Sequence, residues 1–369
     1  MRIVHVIARY NQGGTAGWLS VLIKGQRLEG HEVVLLAGNV QAKEVEDGRF
    51  AELGGFHIQG LGRSISIFQD LKVFWALRKM LIEIDPDLIN SHTAKAGLVG
   101  RLAARSIFHS KIAVVHTFHG HILYGYFGKT KTNIFVQLEK ILCRLTDVIL
   151  VSGLKVKKEL ISKNIGRDAQ YVVIRPGIPP IKNISRNTVR QKLSISEDQF
   201  TIGWLGRLTD IKRPDRVLEL AELLPNFIFL LGGDGELLES LRQKAPKNVI
   251  LMGWTTPHDI WSASDIALLT SANEAQPISL VEAGSAGLPL IGEDVGSVSE
   301  VIQNTVNGYL THDLDSRIKA IQKLASDPEL RHQMGEAAKK TAVELFGVEQ
   351  FLDTHKLAYE KAIKIRINS

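Results

Sequence analysis

Two carboxylates, those of Glu274 and Glu282, are separated by seven residues within the stretch 270–287. The apolar run 265–269 before them predicts a buried strand. Pro277 predicts the start of a helix, because its missing N–H removes no hydrogen bond in the first helical turn. Glu274 is therefore expected on the loop and Glu282 about one turn inside the helix. Carboxylates accept hydrogen bonds from hydroxyl groups, so this pair is suited to holding a sugar.

The predicted helix start is itself suited to binding an anion. The first N–H groups of a helix have no partner within it, and the helix dipole places partial positive charge there. We expect the N–H groups of Ser279, Leu280 and Val281 to take a phosphate of the same ligand. The alternative is a polar loop in front of an ordinary helix glutamate.

Arg207 and Lys212 follow another predicted strand, which ends in Gly206. Glycine lets a ligand approach the backbone closely, and the two cations would neutralise a diphosphate. The alternative is a surface loop with routine basic residues. After the next strand, residues 232–235 read Gly-Gly-Asp-Gly. They predict a tight turn rather than a dinucleotide-binding fingerprint, because the G-x-G-x-x-G spacing is missing.

Three histidines, His116, His119 and His121, fall within six residues at the end of a predicted strand. A zinc site would need a fourth ligand or a nearby carboxylate, and the sequence shows no clear one. His116 is expected inside the strand in a structural role. The Asp-x-Asp pairs at 85–87 and 313–315 precede a strand and cap a helix. Neither pair is placed for a nucleotide–metal site, so the protein is predicted to act without a metal cofactor.

The elements that must position these residues alternate between strand and helix, which indicates βαβ units and a mostly parallel sheet. Strands are predicted over residues 2–8, 32–37, 87–90, 112–117, 148–151, 171–174, 201–205, 227–231, 249–252, 266–269 and 290–291. Helices are predicted over residues 15–29, 65–84, 96–107, 134–145 and 154–161, after each strand of the second half, and from 314 to the end with breaks near 327–328 and 347.

The segment 175–180 contains three prolines and a glycine, and it is the best linker in the chain. We therefore expect one α/β domain over residues 1–174 and a second over 181–346. The C-terminal helix, 347–369, is expected to return to the first domain. Two such domains joined by a short linker would form a ligand cleft between the carboxyl ends of their sheets.

Length and composition predict an ordinary two-domain globular protein, with 369 residues, 44% hydrophobic and 23% charged. The single cysteine, Cys143, excludes an intrachain disulfide and any multi-cysteine metal site. No apolar run reaches the roughly 18 residues of a membrane span. The first residues predict a strand rather than a signal peptide. A cytoplasmic location is therefore expected.

Charge is unevenly distributed between the two halves. Residues 1–178 carry a net charge of +10 and residues 179–369 a net charge of −4, which together give the +6 of the whole chain. A basic half suits an anionic membrane surface or a phosphorylated substrate. Nucleic acid is disfavoured, because the sequence has no nucleic-acid motif and no basic platform interleaved with aromatic residues.

Two basic clusters lie in that first half. Lys129 and Lys131 follow an aromatic loop, 122–127, and a second cluster comprises Lys155, Lys157 and Lys158. Apolar and aromatic side chains beside lysines suit the boundary of an anionic bilayer, where the protein would meet a lipid-linked acceptor. The alternative is a loop that packs on its own domain, with solvated lysines.

Together these segments resemble glycosyltransferase family 4, the retaining nucleotide-sugar-dependent enzymes with the GT-B fold. The resemblance covers nearly the whole chain. It rests on Gly13-Gly14, residues 30–33, Gly206-Arg207 with Lys212, Gly232-x-Asp234-Gly235, His119-Gly120, Glu274-x7-Glu282, Gly287-Leu288-Pro289 and residues 307–310. It implies an α/β fold of two Rossmann-like parallel-sheet domains that face each other across a cleft.

The resemblance also implies roles for individual residues. Arg207 and Lys212 would bind the donor diphosphate, and Glu282 would hold the ribose. Glu274 would hold hydroxyls of the transferred sugar, and His119 would approach the reacting sugar, so these two are the expected catalytic residues.

Three glycines, Gly13, Gly14 and Gly233, complete the expected donor site by the same resemblance. One departure stands beside Glu274. The family usually has Gly-Phe-Gly after this glutamate, whereas residues 275–277 here are Ala-Gln-Pro, which predicts a stiffer backbone and an effect of Gln276 on sugar selectivity.

The expected function is transfer of a sugar from a nucleotide-diphosphate donor, with UDP-N-acetylhexosamine as the leading donor because it is frequent in the family. The acceptor would be a hydroxyl or phosphate, and a lipid-linked glycan precursor fits the basic first half. Two alternatives remain: a nucleotide-sugar 2-epimerase of the same fold, which needs no acceptor site, and a non-catalytic sugar-nucleotide-binding subunit.

Overall fold

We describe the protein from a computed structural model, which covers residues 1–41, 44–62, 66–120, 129–181 and 185–368. Two compact units make up the chain. The first contains Met1–Gly177 together with Val348–Ser369, and the second contains Ile178–Gly347. Residues 174–181 belong to no helix or strand.

Strands and helices alternate along the described chain. The strands are β1 (Arg2–Ile7), β2 (Glu32–Ala37), β3 (Phe56–His57), β4 (Leu88–His92), β5 (Ala113–Phe118), β6 (Val148–Val151), β7 (Tyr171–Val173), β8 (Thr201–Leu205), β9 (Ile228–Gly232), β10 (Val249–Gly253), β11 (Ile266–Leu269), β12 (Leu290–Glu293) and β13 (Gly308–Thr311). The helices are α1 (Gly14–Leu28), α2 (Arg49–Glu52), α3 (Ile67–Ile84), α4 (Ala94–Arg105), α5 (Lys129–Leu142), α6 (Leu154–Ser162), α7 (Arg186–Lys192), α8 (Asp215–Leu223), α9 (Leu238–Lys244), α10 (Pro257–Ala263), α11 (Ile278–Ser285), α12 (Leu314–Ser326), α13 (Pro328–Phe346) and α14 (Val348–Ile367).

The predicted strands are all present, with small shifts at their ends. Three short elements, α2, β3 and α7, were not predicted, because segments of two to seven residues give too little periodicity. Strand β13 was expected only from the family resemblance of residues 307–310. One prediction was wrong. After β12 the chain makes only a 3₁₀ turn, Val298–Glu300, where a helix was expected. Glycine and serine dominate residues 296–299 and are poor helix formers.

The seven strands of the first unit form one parallel sheet in the order β3-β2-β1-β4-β5-β6-β7. Parallel strands end at the same edge of their sheet, so the loops after β1, β4 and β5 lie side by side. His92, the last residue of β4, pairs with Thr117 of β5. His119 follows the end of β5 and therefore lies at the same edge as His92.

Helices cover both faces of this sheet. Ile3 and Val4 of β1 belong to different core clusters, as the alternating faces of a strand require. The cluster of Ile3 includes Trp18 of α1 and Phe351 of α14, so the C-terminal helix packs on the first unit. The cluster of Val4 includes residues of α3 and α4.

Helix α3 buries only one of its sides. Val73, Leu77 and Leu81 pack in the core. Phe68 and Trp75, which contribute to the apolar spacing of the predicted helix 65–84, are 85% and 57% exposed.

The second unit contains a six-stranded parallel sheet in the order β10-β9-β8-β11-β12-β13. Its two faces are packed by separate apolar clusters, one around Trp261 and the other around Trp204. Because β8 and β11 are neighbours, the loop 206–213 after β8 lies beside the loop 270–277 after β11. Two Rossmann-like parallel-sheet units are thus present, as predicted.

Two predicted features lie outside the described residues: His121 and the aromatic loop 122–127. None of the helices in the described ranges combines the length and apolar content needed to cross a bilayer.

Candidate active site

The loop after β11 and the start of α11 hold the two glutamates of the second unit. Pro277 is the residue that precedes the first turn of α11, so Glu274 lies on the loop and Glu282 inside the helix, as predicted. Glu274 is buried, with 7% of its surface exposed. A carboxylate this deeply buried requires partners that stabilise its charge.

Lys212 and Ser271 supply those partners. Nζ of Lys212 lies 2.5 Å from Oε1 of Glu274 and forms a salt bridge with it. The hydroxyl of Ser271 donates to the same oxygen at 2.6 Å. No donor to Oε2 of Glu274 is found among the described residues. The structure therefore brings together two of the residues predicted to bind the donor, and it leaves one carboxylate oxygen for a ligand.

Thr270 ties the loops that carry Lys212 and Glu274 to each other. Its hydroxyl lies 3.1 Å from the carbonyl oxygen of Lys212 and 2.9 Å from that of Arg213, and it accepts from Nε1 of Trp204 at 2.9 Å. The N–H of Ala272 also donates to the carbonyl of Ile211. These contacts fix the position of the Lys212 backbone relative to the loop that carries Glu274.

Arg207 lies exposed on the loop after β8, which is shaped by glycines of the neighbouring strand end. Gly206 N–H donates to the carbonyl of Gly232, at 3.0 Å. Gly233 has a φ of 137°, and a Cβ built there would lie 1.9 Å from the carbonyl oxygen of Gly206. Only glycine allows this approach, so Gly233 shapes the loop that presents Arg207.

The first turn of α11 offers fewer uncommitted amides than expected. The N–H groups of Leu280 and Val281 both donate to the carbonyl of Pro277, at 3.0 and 3.2 Å. For the N–H of Ser279, no acceptor is found in the described parts of the chain. Ser279 is thus the amide best able to meet an anion.

The segment after β12 supports Glu274 from its backbone side. The N–H of Ser297 donates to the carbonyl of Glu274 at 3.0 Å. Gly296 has a φ of 53°, and a Cβ there would lie 1.7 Å from the same carbonyl oxygen.

Gln276, two residues after Glu274, is 9% exposed. Both atoms of its side-chain amide are buried without a partner among the described residues. An unpaired buried amide is costly, so this group calls for a ligand or water.

The remaining candidates belong to the first unit. Gly13 and Gly14 follow β1 at the start of α1, where the φ of 147° at Gly13 requires glycine.

His119 is half-buried, and its Nε2 lies 2.9 Å from Nδ1 of His92. Trp18, one turn into α1, packs its ring edge-on to the His119 ring at 4.5 Å. Sequence reasoning missed His92 and Trp18, since neither stands in a motif.

Burial keeps the histidines around this site neutral. It lowers the pKa of His119 to about 3 and the pKa of His5 to about 4, and it lowers the pKa of His92 well below its ordinary value. His116 lies inside β5, bonded to Ser91, and burial and the charge of Arg101 lower its pKa also. His116 therefore lies inside the strand, as predicted.

No group of three or more His, Cys, Asp or Glu in the described ranges is arranged to hold a metal ion. Asp313 caps α12 by accepting from the N–H of Ser316, as predicted from its spacing. Cys143 is a buried free thiol.

Two family profiles together account for most of the chain. The family described as Glycosyltransferase Family 4 matches residues 12–181, and the one described as Glycosyl transferases group 1 matches residues 185–341. The first match contains His119, and the second contains Arg207, Lys212 and both glutamates.

Known proteins that resemble the chain point the same way. It is 28% identical to the UDP-Gal:alpha-D-GlcNAc-diphosphoundecaprenol alpha-1,3-galactosyltransferase of Escherichia coli, over 82% of this chain and 83% of that protein. It is 23% identical to the capsular polysaccharide biosynthesis glycosyltransferase CapM of Staphylococcus aureus, over 84% and 85%. The crystal structure of Anabaena HepE in complex with UDP-glucose matches with a TM-score of 0.80 at 23% identity, over 97% of this chain and 99% of that one. Similarity to HepE at that identity shows the fold, which is GT-B.

The motif residues, the two parallel-sheet units and the two family profiles agree. This chain belongs to glycosyltransferase family 4 and is a glycosyltransferase of the GT-B fold.

Proposed function

We propose that the protein transfers a sugar from a UDP-sugar to a lipid-linked glycan precursor, with retention of the anomeric configuration and without a metal. The contact between Lys212 and Glu274 carries the donor part of this proposal. It places a cation beside a carboxylate. In a nucleotide-diphosphate sugar the diphosphate is bonded directly to the sugar, so a cation for the phosphates and a carboxylate for the sugar hydroxyls must lie next to each other.

The positive groups of the second unit would stabilise the leaving group. As the bond between sugar and diphosphate breaks, negative charge grows on the departing UDP. An ammonium has three N–H donors, and Lys212 uses one of them on Glu274, which leaves two for phosphate oxygens. Arg207 and the N–H of Ser279 would add further donors. These groups supply the neutralisation that a divalent cation would otherwise provide, which supports the metal-free proposal.

The sugar would be held by Glu274 and Gln276. Oε2 of Glu274 is suited to a sugar hydroxyl, because Oε1 is already occupied by Lys212 and Ser271. The unpaired amide of Gln276 can both donate and accept, so it would distinguish sugars by the hydroxyl or acetamido group beside it. Glu282 would hold the ribose.

The donor base is proposed from the relatives. The Escherichia coli relative is named for UDP-Gal, and HepE binds UDP-glucose in its crystal structure. We therefore place UDP-galactose and UDP-glucose beside the UDP-N-acetylhexosamines that the sequence resemblance suggested.

The acceptor is proposed from the same Escherichia coli relative, which is named for a diphosphoundecaprenol-linked sugar. An acceptor on a polyprenyl lipid requires the enzyme to work at a bilayer surface. Peripheral association through the first unit, which carries the excess of positive charge, would meet that requirement.

One face of α3 is the surface best suited to that association. We call it the α3 face, and it consists of the exposed apolar residues Ile67, Phe68, Leu71, Trp75 and Ile82. At 100° per residue these five positions fall within about a third of the helix circumference. Their exposed fractions range from 49% to 85%, so none of the residues that the structure describes in this unit covers the face.

Charge supports an anionic bilayer as the proposed occupant of the α3 face. Arg78 lies within the face, with its guanidinium 5.8 Å from the centre of the Trp75 ring, and Lys72 and Lys79 lie along one border. Apolar and aromatic side chains bordered by cations are typical of helices that lie in the headgroup region.

The lysine clusters of the sequence-based hypothesis stay proposals. Lys131, Lys155 and Lys158 are exposed, whereas Lys157 forms a salt bridge with Asp168 at 2.9 Å. The aromatic loop of that hypothesis is outside the described residues.

Binding of UDP and of uridine to single variants tests the donor site. Lys212→Ala and Arg207→Ala should each weaken UDP binding by about 1.5–3 kcal/mol, the value of a charge-assisted contact, and leave uridine binding nearly unchanged. Calorimetry with each ligand measures both effects, and Lys244→Ala, an exposed lysine at the end of α9, is the matched control. Unchanged UDP affinity in both variants would refute the donor-site assignment.

A further inference from the structure

An unbroken line of hydrogen bonds runs from α1 through the first sheet to His119. Nε2 of His5 lies 2.9 Å from Oε1 of Gln26, and Nδ1 of His5 lies 3.0 Å from Nε2 of His92. Nδ1 of His92 lies 2.9 Å from Nε2 of His119. Gln26, His5 and His92 are buried, so each ring in the middle of the line uses both nitrogens inside the protein. Among the described residues, the line ends at Nδ1 of His119.

The direction of the line follows from its first member. With the Gln26 amide assigned as in the structure, its Oε1 faces Nε2 of His5, and the amide nitrogen has no partner among the described residues. A carbonyl oxygen can only accept, so this orientation requires a proton on Nε2 of His5. A neutral imidazole has one ring proton, so Nδ1 of His5 must accept from Nε2 of His92. Nδ1 of His92 then accepts from Nε2 of His119 by the same rule. The lone pair of the His119 ring is therefore left on Nδ1.

These proton positions follow only if the rings of His5, His92 and His119 are all neutral. Burial lowers the pKa of His5 to about 4 and of His119 to about 3, and it lowers the pKa of His92 well below its ordinary value. At neutral pH each ring then carries a single proton, and the only freedom left to His119 is which nitrogen bears it.

We propose that Gln26, His5 and His92 are positioning residues that fix the tautomer of His119, so that His119 presents an unprotonated Nδ1 to the substrate. A hydroxyl of the sugar or of the acceptor can donate to this nitrogen. With the opposite tautomer His119 would offer a donor there, and that hydrogen bond would be lost. The proposal rests on the proposed role of His119 at the reacting sugar.

Packing holds the rings of the line in place. The Trp18 ring meets His92 and His119 edge-on, with centroids 5.7 and 4.5 Å apart. The His92 ring is stacked between those of His5 and His119, at 5.3 and 5.1 Å. A ring held in this way cannot flip to exchange its nitrogens without disturbing its neighbours. The tautomer of each ring therefore determines the tautomer of the next ring in the line.

Nitrogen-15 NMR of the full-length protein, labelled at histidine, reads the tautomer of each ring directly. The signals of His5, His92 and His119 are assigned by single His→Gln variants. We expect His119 to be protonated on Nε2 and bare on Nδ1. A proton on Nδ1 of His119 would mean that the amide of Gln26 donates instead, and it would overturn the proposal.

Substitutions at Gln26 test whether it sets the direction. Gln26→Glu should keep the tautomer of His119, because a carboxylate also only accepts. Gln26→Leu removes the acceptor, so His119 should populate both tautomers. A tautomer that does not change in Gln26→Leu would overturn the positioning role. Gln137→Leu, an exposed glutamine of α5, is the matched control, and a thermal melt checks that each variant folds.

Kinetics then separate this proposal from the proposed function. In Gln26→Leu we expect kcat to fall about tenfold, while the KM for the donor changes little. Losses of this size are typical when a residue that orients a functional histidine through its other ring nitrogen is removed, as is known for histidines that bind metals. Gln26→Glu should restore most of the kcat. A mixed tautomer with unaltered kcat would refute the role of His119 at the sugar and leave the tautomer relay standing, whereas equal losses in both variants would mark Gln26 as structural only.

Discussion

At the scale of single residues, the sequence predicted the types of side chain in the donor site but not their contacts. Lys212 and Glu274 were assigned separate tasks, on the diphosphate and on the sugar, and the structure joins them in a salt bridge. That contact depends on Thr270 and Trp204, which lock the two loops together. Neither residue belongs to a motif, so sequence alone could not reveal the arrangement.

The histidine line illustrates the same limit. His119 was singled out by its resemblance to a family motif, whereas His5 and His92 stand in two other strands, far apart in the chain. Their contact follows from the order β1-β4-β5 in the sheet, which βαβ alternation alone does not specify. Candidate residues can therefore be predicted from sequence more readily than the partners that orient them.

Gln276 gives a prediction at this scale. Gln276→Leu keeps the size of the side chain and removes the buried amide that has no partner in the described structure. We expect the preference among UDP-sugars to shift by about tenfold in kcat/KM, about the value of one hydrogen bond, with UDP affinity unchanged. A donor panel with the parent, this variant and the exposed control Gln303→Leu measures it. An unchanged order and ratio of donors would remove Gln276 from sugar selection.

At the scale of elements, periodicity predicted the central strands and the helix α3, but not which side of α3 packs in the core. Its apolar spacing is that of a helix with a buried stripe, and Val73, Leu77 and Leu81 form that stripe. A second set of large apolar residues lies on the outside, and a helix that is apolar on two sides cannot be assigned one buried face from its sequence. The structure resolves which side packs.

The α3 face predicts membrane binding that depends on both apolar area and charge. Phe68→Ser with Trp75→Ser should abolish co-sedimentation with anionic vesicles, because the inserted area is lost. Binding of the parent should require anionic lipid and fall as salt rises, since Arg78 lies within the face and Lys72 on its border, while Lys79 is paired with Glu83.

The controls for this prediction use the same chain. Leu223→Ser with Val343→Ser removes exposed apolar residues of the second unit and should leave vesicle binding intact. Equal sedimentation of the two double variants would exclude the α3 face. Concentration-dependent dimers that disappear with the Phe68 and Trp75 substitutions would assign the face to a second copy of the chain instead.

The buried histidines of the first unit make its stability depend on pH. Their pKa values in the folded protein are lowered, to about 4 for His5 and about 3 for His119 and His355, below the value of about 6.5 in the unfolded chain. The unfolded chain therefore binds more protons below about pH 6.5. The stability that these groups contribute is full above that pH and is lost as pH falls towards the folded values.

Urea unfolding between about pH 7.5 and pH 5.5, above the range where most carboxylates titrate, measures this effect. Each such histidine should lower the free energy of unfolding by up to about 1.4 kcal/mol per pH unit in the lower part of that window. Hydrogen exchange read by mass spectrometry separates the units, and the second unit is the internal control, because no histidine described there is buried. Equal losses in both units would contradict the prediction.

At the scale of the whole molecule, alternation of strand and helix predicted two parallel-sheet units, and the structure has them. The order of the strands and the partners of each site residue follow from tertiary packing, which local patterns record only weakly. The family assignment supplied the reaction class, and the residues of this chain suggest which groups carry it.

The proposed transfer of a sugar from a UDP-sugar onto a lipid-linked acceptor can be tested on its products. The most direct measurement is mass spectrometry and NMR of the products formed from a panel of UDP-sugars and a short-chain lipid-diphosphate-linked N-acetylglucosamine, after exhaustive chelation of divalent metal. We predict free UDP and a disaccharide-linked lipid whose new bond keeps the anomeric configuration of the donor. Isomerisation of the sugar without release of UDP, an inverted linkage, or turnover restored only by added metal would refute the proposed reaction.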